Sequence, residues 1–223
     1  MKISIIIPSY NKWELTNQRL IELNQWCKND IYQVVLIDDA SEEQFGHLNF
    51  WKEVLPWVFY RNEKNMGFGF SMNKGAEIAT GDVFVFLSND VLVRSNFIGE
   101  IKQIINKDRQ VLIGHRLVDF AGGWNEVYVR GHNMIIPYLE GYFLACHKDV
   151  WKTLGGFDDI YSPYCYEDID LSVTAWKSNI KLETLTHQNL RHLVARTAPY
   201  DEERQKITER NRVRFIEKWI DKL

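Results

Sequence analysis

Four runs of apolar residues alternate with segments of helical periodicity, and that alternation limits the chain to few folds. The runs are ISIIIP (residues 3–8), QVVLIDD (33–39), WVFYRNE (57–63) and VFVFLSND (83–90). Continuous β-branched runs suit strands covered on both faces. Between them, Trp13, Leu20, Leu23 and Cys27 recur at helical steps, as do Phe45, Leu48, Trp51 and Leu55. FGFSMNKGAEIATGD (68–82) predicts a third helix, closed by Gly81. Strands alternating with helices imply βαβ units and a largely parallel sheet. Ligands of such sheets sit beyond the carboxyl ends of the strands. Three runs end there on polar side chains: Ser9-Tyr10-Asn11, Asp38-Asp39 and Ser88-Asn89-Asp90. The topology predicts one edge that gathers them.

The second half is less regular. FIGEIKQIIN (97–106) predicts a helix and QVLIGHRLV (110–118) a strand. Residues 119–137, with Gly122, Gly123, Gly131 and Pro137, read as loop and hairpin. GYFLACH (141–147) predicts a strand and KDVWKTLGG (148–156) a short helix. YEDIDLSVTAWKSN (166–179) predicts a helix with carboxylates in its first turn, KLETLT (181–186) a short strand, and residues 201–222 a long amphipathic helix. With 223 residues and no linker or repeat, a single α/β domain is expected.

Composition excludes several classes. A net charge of −3 gives no surface-wide attraction for nucleic acid. Cys27, Cys146 and Cys165 are odd in number and far apart, which argues against a disulfide framework or zinc knuckle and fits a reducing compartment. The start, MKISIIIPSYNKW, is too short in apolar residues for a signal peptide, and no stretch approaches the ~18 apolar residues of a membrane span. A soluble, cytoplasmic protein is expected.

Several constellations have two readings. GFGFSMNKG fails the dinucleotide pattern, because its third glycine position is Met72 and it follows the third strand. On the motif alone, Gly67 and Gly69 read as a helix entry. Asp38 and Asp90 are either caps or a pair facing a nucleotide and a divalent cation. Glu167, Asp168 and Asp170 either complement a helix dipole or, among Tyr161, Tyr164 and Tyr166, supply a base of raised pKa. His192 is structural or a ligand. The basic run from Arg204 to Arg214 is a solvated face, or a surface for a diphosphate or an anionic membrane with peripheral contact.

Taken in order, the blocks SIIIPSYNK, VVLIDDAS, RNEKNMGFGFSMNKGAEIATGD, FLSNDVLV, GYFLACHKDVWKTLGGFDD, YEDIDLSVTAWKSN and RNRVRFIEKW resemble the family 2 glycosyltransferases. The resemblance implies the GT-A fold, a Rossmann-like, mostly parallel sheet flanked by helices. It divides the domain into a donor nucleotide-binding half (1–93) and an acceptor-binding and catalytic half (94–223). It implies a nucleoside-diphosphate sugar donor, a glycan, lipid-linked or protein-linked acceptor, and Mn²⁺ or Mg²⁺ as cofactor. Pro8 and Tyr10 would line the base pocket, and Asp38 would bind the base or ribose. Gly67 and Asn73 match the helix beside the donor. Ser88-Asn89-Asp90 stands at the D-x-D motif, with Ser88 where the family has Asp, and Asp90 would hold the metal. His192 resembles a late histidine that completes the metal site. Asp168 matches the general base of an inverting displacement. Trp124, Tyr142 and Tyr164 are candidates for stacking on an acceptor sugar, with core packing the alternative for at least some of them. The absence of the transmembrane helices of processive synthases implies a non-processive enzyme. An inactive sugar-nucleotide or glycan-binding module is the alternative, and Ser88 is its support. A nucleotidyltransferase would need a Gly-rich basic loop after the first strand, which PSYNKW lacks.

Overall fold

The computed structural model describes residues 1–46, 48–119, 127–129, 132–134, 137–186, 190–193 and 201–222. Its first half runs β1 (Ile3–Ser9), α1 (Trp13–Cys27), β2 (Gln33–Asp38), α2 (Leu48–Val54), β3 (Trp57–Arg61), α3 (Phe68–Ile78), β4 (Val83–Leu87) and β5 (Val91–Val93). The chain continues through α4 (Ile98–Lys107), β6 (Val111–Gly114), β7 (Leu117–Asp119), β8 (Val127–Val129), β9 (His132–Met134), β10 (Pro137–Leu139) and β11 (Phe143–His147). It closes with α5 (Lys148–Leu154), α6 (Glu167–Lys177), β12 (Lys181–Thr184), β13 (Leu190–His192) and α7 (Glu202–Trp219).

The central sheet has seven strands in the order β12-β6-β11-β4-β1-β2-β3. All neighbours pair in parallel except β11, which runs antiparallel to β4 and β6. Residue parity explains the unbroken apolar runs. Ile3, Ile5, Ile7, Val34, Leu36, Val83 and Val85 face one core with Leu20, Leu23, Ile98 and Ile101. Ile6, Val35, Ile37, Phe84 and Phe86 face the other, with Met72, Trp151 and Leu171. Each such side chain, fully buried, contributes about 1.5–3 kcal/mol. Gly75 lets α3 lie on the sheet, because a Cβ there would run into Ile6 Cγ2. A third core joins α6 to α7 through Tyr161, Tyr166, Ile169, Val173, Phe215 and Trp219.

Two expected elements differ. Helix α3 ends at Ile78, and Ala79 is already extended. Gly81 lies beyond the helix, pressed against β1, where a Cβ would meet Lys2 O at 2.8 Å. The expected strand over 110–118 is two strands: β6 stays in the central sheet, while β7 leaves it to pair with β10. The break at His115–Arg116 puts both residues at the sheet edge. β8 and β9 form the hairpin expected in 119–137, whereas Trp124 lies outside the described residues. No described helix is long and apolar enough to cross a membrane.

Candidate active site

The parallel strands β1, β2 and β4 stop at Ser9, Asp38 and Leu87, and the antiparallel β11 starts beside them, with Phe143 opposite Leu87. The predicted edge therefore exists, and it also receives Gly141 and Tyr142, which the alternation alone does not place there.

At the β2 end, Asp38 is fully buried. Its Oδ1 accepts from Ser41 N at 2.9 Å, and its Oδ2 pairs with the Arg61 guanidinium. Arg61 also donates to Ser41 O at 2.6 Å. A partly exposed cation thus neutralises the buried carboxylate, which lowers the cost of burying it. Arg61 was not singled out in the sequence, although it ends β3 opposite Asp38. Pro8 is half-buried and Tyr10 exposed, flanking the same edge. Asn11 and Lys12 adopt left-handed backbone, and Asn11 ties this loop to the next by accepting from Glu42 N at 2.9 Å.

Gly67 and Asn73 shape the neighbouring wall. Asp39 accepts from Asn62 Nδ2, Met66 N and Gly67 N at 2.7–2.8 Å, clamping the entry to α3. Gly67 has φ 93°, and a Cβ there would meet Pro163 O at 2.5 Å, so both conformation and space demand glycine. Asn73 was expected beside the donor. Its amide instead donates to Phe157 O at 2.7 Å and accepts from Phe157 N at 2.9 Å. That bidentate grip holds the turn after α5.

After β4 the chain turns through three buried polar residues. Ser88 Oγ donates to Asp90 Oδ1 at 2.6 Å, and Asn89 Nδ2 donates to Thr16 Oγ1 at 3.0 Å. β5 pairs with β13, setting His192 opposite Val91, and His192 Nε2 lies 3.5 Å from Asp90 Oδ1. Leu193 N donates to Asp90 O at 2.9 Å. The separation of Asp90 and His192 in sequence disguises this pair. Tyr142, expected to stack on an acceptor, is buried and stacks on His192, with centroids 4.2 Å apart and planes at 21°. Its hydroxyl bonds His115 Nδ1 at 2.7 Å. A carboxylate oxygen beside an imidazole nitrogen is a donor set that fits Mn²⁺. Among the described residues no three His, Cys, Asp or Glu side chains converge, so a cation here would draw its other ligands from diphosphate and water.

The acidic cluster of α6 separates into three roles. Asp170 is structural: it accepts from Tyr161 Oη at 3.0 Å, Trp219 Nε1 at 2.7 Å and Lys218 Nζ at 2.9 Å, pinning α7 to α6. Asp168 faces the edge. Its Oδ2 accepts from Gly141 N and its Oδ1 from Ile169 N, both at 2.9 Å. Burial pushes the Asp168 carboxyl up to about 6 against these two N–H donors, and the charge of Glu140 adds to the rise. Glu167 is driven well above the ordinary range by burial and then by Asp168. Its Oε2 has no hydrogen-bond partner. It lines a cavity of about 10 Å³ behind the 158–164 loop, room for one water.

The basic helix face is largely engaged. Arg210 donates to Ser162 O, Arg214 to Ile160 O, and Lys218 bridges Asp158 and Asp170. Asn211 Nδ2 reaches the carbonyls of Tyr161, Tyr164 and Cys165 at 2.6–2.9 Å. Arg204 lies over the Tyr164 ring at 5.7 Å. Helix α7 is thus a brace for the loop that leads into α6.

Residues 4–157 match the family model described as glycosyl transferase family 2. The chain belongs to glycosyl transferase family 2. Human polypeptide N-acetylgalactosaminyltransferase 10 is 23% identical over 252 aligned residues, covering 98% of this chain and 42% of the relative. A crystal structure of GalNAc-T7 with UDP, GalNAc and Mn²⁺ superposes with a TM-score of 0.78 at 19% identity, covering 100% of this chain and 48% of that one. The mannosyltransferase PcManGT from Pyrobaculum calidifontis, in complex with GDP-Man and Mn²⁺, gives 0.65 at 16% identity, over 82% of this chain and 54% of that one. The chain therefore spans less than half the length of the human transferase it matches. Its seven-stranded sheet with helices on both faces is the GT-A fold of these structural neighbours. The family match ends at Phe157, so Asp168 and His192 lie beyond it.

Proposed function

We propose that this chain is an inverting, metal-dependent glycosyltransferase that moves a sugar from a nucleoside-diphosphate sugar to a hydroxyl of a glycan, lipid-linked or protein-linked acceptor. One observation carries the reading. The dipeptide Gly141-Tyr142 joins the two halves of the site: Gly141 N holds Asp168, Tyr142 O accepts from Ser88 N at 2.8 Å, and the Tyr142 ring stacks on His192. A base and a cation-binding pair on one rigid link match the needs of a displacement at an anomeric carbon.

Residues 1–93 form the donor half and 94–223 the acceptor and catalytic half, with His192 returning to the donor half through β13. Pro8 and Tyr10 receive the nucleoside, Asp38 acts through the Arg61 guanidinium and the Ser41 turn it holds, and Gly67 lets the entry to α3 close on Pro163 beside the donor. Asn73 holds the turn after α5 and does not contact the donor. Asp90 and His192 would hold Mn²⁺ or Mg²⁺, which when bound neutralises charge on a departing diphosphate. Ser88 donates to Asp90 and leaves one fewer negative charge than a two-carboxylate motif.

Asp168 accepts the proton of the acceptor hydroxyl as its oxygen bonds to the anomeric carbon. The bond from that carbon to the diphosphate oxygen breaks on the opposite face, and the configuration inverts. A carboxyl raised to about 6 is ionised at neutral pH and still a stronger base than an ordinary aspartate. Burial and the charge of Asp168 favour the neutral form of Glu167, which leaves Asp168 as the carboxylate placed to take the proton.

The test is release of nucleoside diphosphate from a panel of UDP- and GDP-sugars with Mn²⁺. Release that requires Mn²⁺ and is lost in Asp168→Asn supports the reading; turnover of that variant near the wild-type rate overturns the base assignment. Ser88 favours one other reading, a donor-binding module without turnover. Nucleotide binding with no release from any donor would select it.

A further inference from the structure

The turn that carries Asp90 is held from behind by one stripe of α1. Thr16, Arg19 and Glu22 recur at three-residue steps on that helix. Asn89, Val91 and Val93 recur at two-residue steps along the chain they meet. Thr16 Oγ1 accepts from Asn89 Nδ2 at 3.0 Å and bonds Ser9 Oγ at 2.8 Å, reaching the end of β1 as well. The Arg19 guanidinium donates to Val91 O. Glu22 Oε2 accepts from Val93 N at 2.7 Å, and Arg19 and Glu22 are bound to each other at 2.6 Å.

The ribbon geometry explains why these side chains matter. One edge of β5 pairs with β13, through Leu92 and Arg191. The other edge shows Val91 O and Val93 N, which alternate to the same side. Arg19 supplies a donor and Glu22 an acceptor there, in place of a strand. The ribbon bears Asp90 at one end of β5 and His192 at the facing end of β13. Whatever seats its outer edge therefore seats both.

The pair is an expensive device for packing alone. Arg19 is fully buried, and its Nε has no hydrogen-bond partner. A buried donor left unpaired costs about 1–3 kcal/mol. Apolar residues of similar volume often hold a core as well as a buried ion pair does. Burial disfavours the charged guanidinium, while Glu22 and then Asp90 favour it.

We propose that Arg19, together with Glu22, is a positioning residue that caps the open edge of β5 and thereby fixes Asp90 and His192 for the donor diphosphate. The inference rests on the reading of Asp90 and His192 as the donor and cation site.

The test compares wild type with Arg19→Met/Glu22→Leu, Arg19→Lys and Asp90→Ala. Affinities for UDP and GDP are measured by calorimetry with and without Mn²⁺, alongside melting temperatures. The apolar double variant is expected to melt near wild type yet lose about ten-fold or more of its Mn²⁺-dependent affinity. Arg19→Lys keeps the charge but not the fork, and is expected to lose less. Wild-type affinity in a folded double variant overturns the proposal while Asp90→Ala still weakens binding. If the double variant does not fold, wild-type affinity in Arg19→Lys overturns it instead. Unchanged affinity in Asp90→Ala overturns the reading of the site and the proposal with it.

Discussion

Replacing Asp168 with Asn should stop turnover and stabilise the fold, and the stabilisation should depend on pH. The carboxyl rises from 3.8 to about 6 on folding because burial penalises its charge. That rise corresponds to about 3 kcal/mol of folding free energy lost once the group ionises. The side chain is only partly buried, so solvent screening reduces the figure. Asparagine can still accept from Gly141 N, but its amide nitrogen cannot accept from Ile169 N, a loss of about 1 kcal/mol. The net gain is about 1–2 kcal/mol, or about 2–8 °C in melting temperature for a chain of this length. Below about pH 4 both carboxyl states are protonated and the gain vanishes. It grows between about pH 4 and 6, where wild type loses stability, and is constant above. Thermal unfolding of both proteins from pH 4 to 8 reads this out. A melting difference that does not change with pH would refute the raised carboxyl. The same ionisation predicts wild-type transfer that rises with pH through about 6 to a plateau.

Glu167→Gln should retain most turnover, because burial disfavours the charge of that carboxyl and its side chain lines the small cavity behind the 158–164 loop; loss comparable to Asp168→Asn in a donor-release assay would move the base to Glu167. Asn73→Ala should lower stability by about 2–4 kcal/mol by orphaning Phe157 N and O, read by urea unfolding, while nucleotide affinity of the folded protein stays near wild type. Asp170→Ala removes the shared partner of Tyr161, Trp219 and Lys218, and should cost about 3–5 kcal/mol in urea unfolding. Wild-type stability would show that α7 does not brace the 158–166 loop.

The donor half of the fold was legible because its signal is local. Strands covered on both faces read as continuous apolar runs, and their ends fixed where Ser9, Asp38 and Ser88–Asp90 would meet. The acidic cluster was not separable from sequence. Asp168 and Asp170 are two residues apart on one helix, yet one meets Gly141 and the other Lys218, and only the packing of α7 distinguishes them. Asn73 resembled a donor contact because its helix passes the edge, but its amide is satisfied 84 residues away at Phe157. For Tyr142, sequence leaves sugar stacking and core packing open, and burial against His192 decides for packing. Arg61 and Arg19 carried no motif. Their significance is burial against charge, which a one-dimensional pattern does not contain.

A single inverting displacement with Asp168 as base leaves a stereochemical signature in the product. Water can replace the acceptor hydroxyl, so slow donor hydrolysis reports the same stereochemistry. Proton NMR of the first-formed free sugar, from an α-linked UDP- or GDP-sugar with Mn²⁺, is the most direct measurement. The β anomer is expected first, with none above background in Asp168→Asn. First release of the α anomer, or β anomer formed equally well by the variant, would contradict an inverting displacement with Asp168 as base.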